Sequence, residues 1–234
     1  MTRVLVPVAV LEGEAVSPGL LTLLDTVDVT VLGYQVVPEQ TPPDQARLQY
    51  EERATVALED LTREFRTAGG AADHRLVFTQ DRERTIDRVA DELGARAVAI
   101  SGMTGDVERV LVSLSGAVAV ERILEFTVEL IGDRDIGVTL FLASEDDTAT
   151  ERIESAAQRL READIDVGTV VAGGPPFDAL VERVASHDVV ITGEKAPSLR
   201  SLVFEDKADR VASATVGPVL VVRYESAPDE HRTG

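Results

Sequence analysis

Arg3-Val4-Leu5-Val6, near the start of the chain, recurs near its middle as Arg109-Val110-Leu111-Val112, and the segments after each copy recur with it. After the first copy, a helical stretch over 17–24 leads to a β-branched run at 27–32. After the second, a helical pattern over 117–130 leads to an apolar run at 136–141. An amphipathic helix follows in each copy, with Ala54, Leu58, Leu61 and Phe65 on one face in the first and Ile153, Ala156, Ala157 and Leu160 in the second. Thr148 and Glu151 have the spacing of a capping box at the start of the latter.

The match tightens further along. Ile86, Val89, Ala90 and Leu93 share their spacing with Phe177, Leu180, Val181 and Val184, and each set is flanked by short apolar runs: 76–78 and 97–102 in the first copy, 170–172 and 189–193 in the second. Short apolar strands alternating with amphipathic helices specify a doubly wound parallel sheet, because parallel neighbours need helical crossovers that bury both faces. The chain is therefore read as two tandem Rossmann-like α/β units, at 1–107 and 108–225, with a polar tail at 226–234. The copies end differently. The second adds a helical pattern (Phe204, Ala208, Val211, Ala212, Thr215) and the strand Pro218-Val219-Leu220-Val221-Val222-Arg223, whereas 102–108 of the first runs straight into the next unit, so the first unit lacks its last helix and strand.

Charge narrows the function classes. The net charge of −19, from 42 acidic against 23 basic residues, repels nucleic acid and anionic membrane surfaces. Glu121, Arg122, Glu125 and Glu129 interrupt the longest apolar region, so no membrane span is expected. The absence of cysteine excludes disulfides, thiol nucleophiles and thiolate metal sites, and points to the cytoplasm. Lys195 and Lys207 are the only lysines, and an acidic excess with scarce lysine is similar to proteins of salt-accumulating halophiles, so a halophilic archaeon is the expected source.

The element order, the Val4-Leu5-Val6-Pro7-Val8 opening strand, strands ending in Ser101-Gly102 and Thr192-Gly193, and the closing Gly217-Pro218-Val219-Leu220-Val221-Val222-Arg223 resemble the universal stress protein family in tandem form, over nearly the whole chain. The resemblance implies an adenine-nucleotide alpha-hydrolase-like fold with a five-stranded parallel sheet in a complete unit, pairing through the last strand, and a family of both ATP-binding and non-binding members. In its binders an Asp ends the first strand and a Gly-x-x-Gly, about nine residues, Gly-Ser/Thr pattern cradles phosphates, where glycines and a helix N-terminus present N–H groups to the anion. Ala9 and Ser115 stand at the Asp positions, and neither carries a carboxylate. Gly102 and Gly105 match Gly-x-x-Gly in a unit without the helix that completes the cradle, and Gly116 falls near the expected distance but belongs to the next unit. In the second copy Gly193 is followed by Ala196 in place of the second glycine, and Asp206-Lys207 replaces Gly-Ser/Thr.

Lys195, Arg200 and Lys207 lie close together in a Lys-poor chain; the favoured reading pairs them with Glu194, Glu205 and Asp206, and a local anion site is the other. His74, His187 and His231 lack metal-ligand spacing and read as loop or surface residues. Pro175-Pro176 marks a helix start, and the charge runs at 81–84 and 145–147 are read as solvated caps. The expectation is a non-catalytic regulatory or interaction module whose degenerate nucleotide site binds ATP weakly or not at all. The alternative is an ATP- or AMP-binding stress sensor with an altered phosphate loop. Its closing strand, Val219, Leu220, Val221 and Val222, is expected at a sheet edge, pairing with the same strand of a second chain.

Overall fold

The structure is a computed structural model that describes residues 2–38, 40, 42–115, 119–194 and 217–224. The first half runs β1 (Arg3–Ala9), α1 (Pro18–Leu23), β2 (Asp28–Val36), α2 (Pro43–Thr67), β3 (Ala71–Thr79), α3 (Arg82–Leu93) and β4 (Ala97–Ile100). The second runs β5 (Arg109–Ser113), α4 (Val120–Ile131), β6 (Gly137–Ala143), α5 (Ala149–Arg161), β7 (Val167–Ala172), α6 (Pro176–Val184), β8 (Val189–Gly193) and β9 (Val219–Val222). The predicted alternation of strand and helix is present in both halves. The helical pattern at 204–215 and the tail at 226–234 lie outside the described residues.

The strands of the described residues join in one nine-stranded sheet of order β3-β2-β1-β4-β9-β8-β5-β6-β7. Pairing is parallel within each half. The halves meet at an antiparallel seam, Ala97 opposite Val222 and Ile100 opposite Val219. This corrects the expected place of the closing strand: β9 pairs with β8 on one side and with β4 on the other, so Val219, Leu220, Val221 and Val222 offer no free ladder to a second chain. The physical reason is the truncation itself. The first unit lacks a fifth strand, its β4 edge is bare, and the second unit's last strand satisfies it.

The strands are apolar at consecutive positions because both faces are covered. In β1, Val4, Val6 and Val8 face a core that includes Leu20, Leu58, Phe65, Phe126, Leu140 and Leu160, drawn from both halves. Leu5 faces the opposite side, against Ile86, Val89 and Ala90 of α3. The corresponding cluster of the second half is Leu111, Phe141, Leu180 and Val190, beneath α6. Each fully buried Leu, Val, Ile or Phe contributes about 1.5–3 kcal/mol, so the continuous first core binds the halves together.

The helix ends follow local chemistry. The Asp81 side chain accepts from Arg84 N–H at 3.0 Å to cap α3, and Gly94 takes the left-handed conformation (φ 60°) at its other end. Pro176 opens α6 as predicted. The capping box at Thr148 does not form: Thr148 makes no side-chain cap bond to α5, and its N–H and hydroxyl both donate to Asp146 Oδ1, at 2.9 and 3.0 Å. Thr148 has φ −87° and ψ −3°, in place of the extended backbone that turns a capping side chain over the first helical turn.

Candidate functional site

Open α/β sheets place ligands beyond the carboxyl ends of their strands. Because the halves run antiparallel, this chain has two such ends, on opposite sides of the sheet. Ala9 and Gly102 lie at the carboxyl ends of β1 and β4, with Gly105 in the loop beyond. Ser115 and Gly193 lie at the ends of β5 and β8. The sequence-predicted residues therefore divide between two places. Gly116, Lys195, Arg200 and Lys207 fall outside the described residues.

At the first end Ala9 is buried, its carbonyl accepts from Glu12 N–H at 2.9 Å, and its own N–H donates to Glu14 Oε2 at 2.7 Å. A carboxylate thus sits at the end of β1 although position 9 has none. Sequence reading missed Glu14 because it looked for the acid on the strand; the signal is the turn at 10–13, containing Gly13 at φ 73°, which folds the chain back far enough for a side chain five residues on to reach.

Of the two glycines of the Gly-x-x-Gly string, Gly102 stands at a close backbone approach, whereas a Cβ on Gly105 would meet nothing within 4 Å. A Cβ on Gly102 would stand 2.5 Å from the carbonyl carbon of Gly217, where the chain enters β9. The Gly105 carbonyl oxygen lies against Gly19 in α1, where a Cβ on Gly19 would come within 1.8 Å of it.

At the second end the Ser115 hydroxyl accepts from Ala143 N–H at 2.7 Å, prolonging the β5–β6 ladder by one side-chain bond. Ser113 and Thr192, register partners on β5 and β8, bury their hydroxyls nearby. Gly193 admits Tyr224 and Ile123: a Cβ there would lie 3.1 Å from Tyr224 Oη and 3.3 Å from Ile123 Cδ1. Glu194 donates its N–H to Val222 O at 2.9 Å and accepts from Tyr224 N–H at 3.1 Å, while its other carboxylate oxygen is 3.7 Å from the Arg223 guanidinium. Glu194 therefore faces the closing strand, a partner that the sequence reading, which set it against Lys195, Arg200 and Lys207, did not name.

Arg223 itself is 7% exposed and reaches across the seam to α3, 2.7 Å from Asp91 Oδ1 and 3.8 Å from Asp87 Oδ1. Arg96 pairs with Glu125 and Glu129 on α4, and Arg134 pairs with Asp25 while donating to Leu23 O at 2.9 Å. These arginines tie the halves together.

Two carboxyls are held below the usual carboxylate range. Asp146 is lowered by the Thr148 backbone N–H first and then its hydroxyl, and Glu92 by hydrogen bonds from Arg75 first and then Arg88. Glu92 belongs to a surface pair on α3, and Asp146 to the turn that leads from the carboxyl end of β6 into α5. His74 is exposed on β3, with Nδ1 3.2 Å from Thr62 Oγ1, and His187 sits between Arg183 O and Thr139 Oγ1. His231 lies outside the described residues. No group of three metal-ligating side chains occurs among the described residues, and no helix there is long and apolar enough to cross a membrane.

Sheet order and strand ends together define a Rossmann-like α/β protein with one mostly parallel, nine-stranded sheet. Its fold is that of a universal stress protein from Archaeoglobus fulgidus DSM 4304, whose crystal structure superposes with a TM-score of 0.63 at 16% identity, over 94% of this chain and 96% of that one. A functionally unknown protein, PA1789 from Pseudomonas aeruginosa PAO1, superposes with a TM-score of 0.50 at 14% identity, over 95% and 92% of the two chains. No family model matches the chain, and no curated protein matches it by sequence, so the likeness is one of fold.

Proposed function

We propose that the protein is a universal stress protein-like regulatory or interaction module in the cytoplasm, without catalytic activity, whose nucleotide site is altered enough that ATP binds weakly or not at all. One observation carries this reading: Gly102, the first glycine of the phosphate string, is packed against Gly217 where the chain enters β9, so its missing side chain serves a crossing backbone. Ala9 and Ser115 add no carboxylate at the ends of β1 and β5. A net charge of −19 adds long-range repulsion against any polyanion, nucleic acid included. The expected outcome of an equilibrium titration with labelled ATP in molar KCl is a dissociation constant weaker than about 10 μM, roughly −7 kcal/mol of binding. No phosphate is released on prolonged incubation.

A second reading, an adenine-nucleotide sensor, is favoured by Glu14, whose carboxylate at the end of β1 supplies in space the acid that Ala9 lacks in sequence. The same titration separates the two readings. Binding at or below about 10 μM that is lost in Glu14→Ala selects the sensor.

A further inference from the structure

The nine-stranded sheet has two outer edges, β3 and β7, and they are built differently. β3 carries Asp73, His74 and Arg75, the last ion-paired to Glu92. Charges of this kind discourage the addition of another strand. β7 reads Val167-Gly168-Thr169-Val170-Val171-Ala172, with no charge and no proline, in a chain of net charge −19.

Its hydrogen-bonding parity is fixed by its neighbour. Asp166 O accepts from Val138 N–H at 2.9 Å and Ala172 O from Ser144 N–H at 3.0 Å, so the even-numbered residues face β6. The N–H and C=O groups of Val167, Thr169 and Val171 consequently point away from the sheet. Arg161 Nη2 meets Val167 O at 3.4 Å, which leaves Thr169 and Val171 as the open rungs among the described residues. Thr169 is exposed, and Val171 is 39% exposed.

We propose that β7 pairs antiparallel with β7 of a second copy of this chain, about a two-fold axis at Val170, and continues the sheet across the dimer. In this register Thr169 N–H meets the second copy's Val171 C=O and Val171 N–H meets its Thr169 C=O, each bond repeated by symmetry. The charge pattern favours a second copy in this orientation. Asp164 and Asp166 precede the strand and Gly173-Gly174 follow it, so antiparallel pairing sets each acidic end against an uncharged glycine turn. A parallel arrangement would stack Asp166 on Asp166. For two copies of a strongly acidic chain, an uncharged and self-complementary strip is where close approach costs least. The closing strand, with both ladders filled inside the chain, is not available for the same purpose.

The test is sedimentation velocity of the full chain in molar KCl, up to about 100 μM protein, since dimer formation follows mass action. The wild type is expected to run at twice the monomer mass. Thr169→Pro removes an outward N–H without touching the ladder to β6, and Val171→Lys places a charge on the strip; both are expected to run as monomers with an unchanged circular dichroism spectrum. Leu48→Lys, on the exposed side of α2, is expected to remain dimeric. If Thr169→Pro does not fold, Val171→Lys decides alone. A monomeric wild type, a dimer that survives the β7 substitutions, or a dimer dissociated by Leu48→Lys overturns the proposal.

Discussion

A methyl group on Gly102 would meet backbone at Gly217, which has no rotamer with which to yield, whereas a methyl group on Gly105 would meet nothing within 4 Å. Gly102→Ala should therefore destabilise the fold by about 1–3 kcal/mol, while Gly105→Ala should change it by no more than about 0.5 kcal/mol, as read in urea melts. If the pair were a phosphate cradle, both substitutions would instead act on ligand affinity and neither need act on stability. The sequence shows Gly-x-x-Gly and cannot distinguish these cases, because a glycine required by a ligand and one required by a crossing backbone are the same letter. The same limit hid Glu14, whose role depends on a turn and not on a strand position. Asp146 offers a residue-scale test in pH. Its folded-state pKa lies below its unfolded value, so the stability it contributes is present above the unfolded pKa and is lost as pH falls through the folded one. Thr148→Val removes the hydroxyl donor and keeps the backbone donor, so an NMR titration should show the Asp146 carboxyl moving part of the way back toward an ordinary aspartate.

Among the elements, β9 separates what periodicity reveals from what only pairing decides. Its four apolar residues announced a strand buried on both faces, and it is one, yet nothing in Val219-Leu220-Val221-Val222 says which neighbour fills each ladder. The first half's strands and helices were legible because each carries its own local signal, a short apolar run or a 3.6 period. The seam was not, since it depends on the absence of a strand elsewhere in the chain. The consequence is measurable. Leu220 is fully buried in the core shared by both halves, so Leu220→Ala should cost about 2–5 kcal/mol, and Leu220→Asp should unfold the protein instead of releasing a folded monomer. Arg223, which joins β9 to α3, acts more mildly. Asp87 and Asp91 remain solvated, so Arg223→Met, keeping the buried stem, should cost only about 1–2 kcal/mol in thermal melts.

For the whole molecule the controlling quantity is the −19 charge, carried on one continuous sheet whose core is common to both halves. Self-repulsion on this scale acts against the compact state and is felt by both halves together, because the shared core does not let one relax while the other stays folded. The ion pairs across the seam, Arg96 with Glu125 and Glu129 and Arg134 with Asp25, are attractive and are weakened by the same salt that weakens the repulsion. With 42 acidic residues against 23 basic ones, repulsive pairs outnumber attractive ones at long range, where screening acts first: the Debye length shrinks from about 10 Å at 0.1 M to about 3 Å at 1 M salt, while direct contacts near 3 Å survive. Added salt should therefore stabilise the fold. Thermal melts from dilute buffer to molar KCl are expected to show a single transition moving upward through the series. A flat response would mean that the seam's attractive pairs offset the net charge, and two transitions would mean that the halves melt separately in spite of their common core.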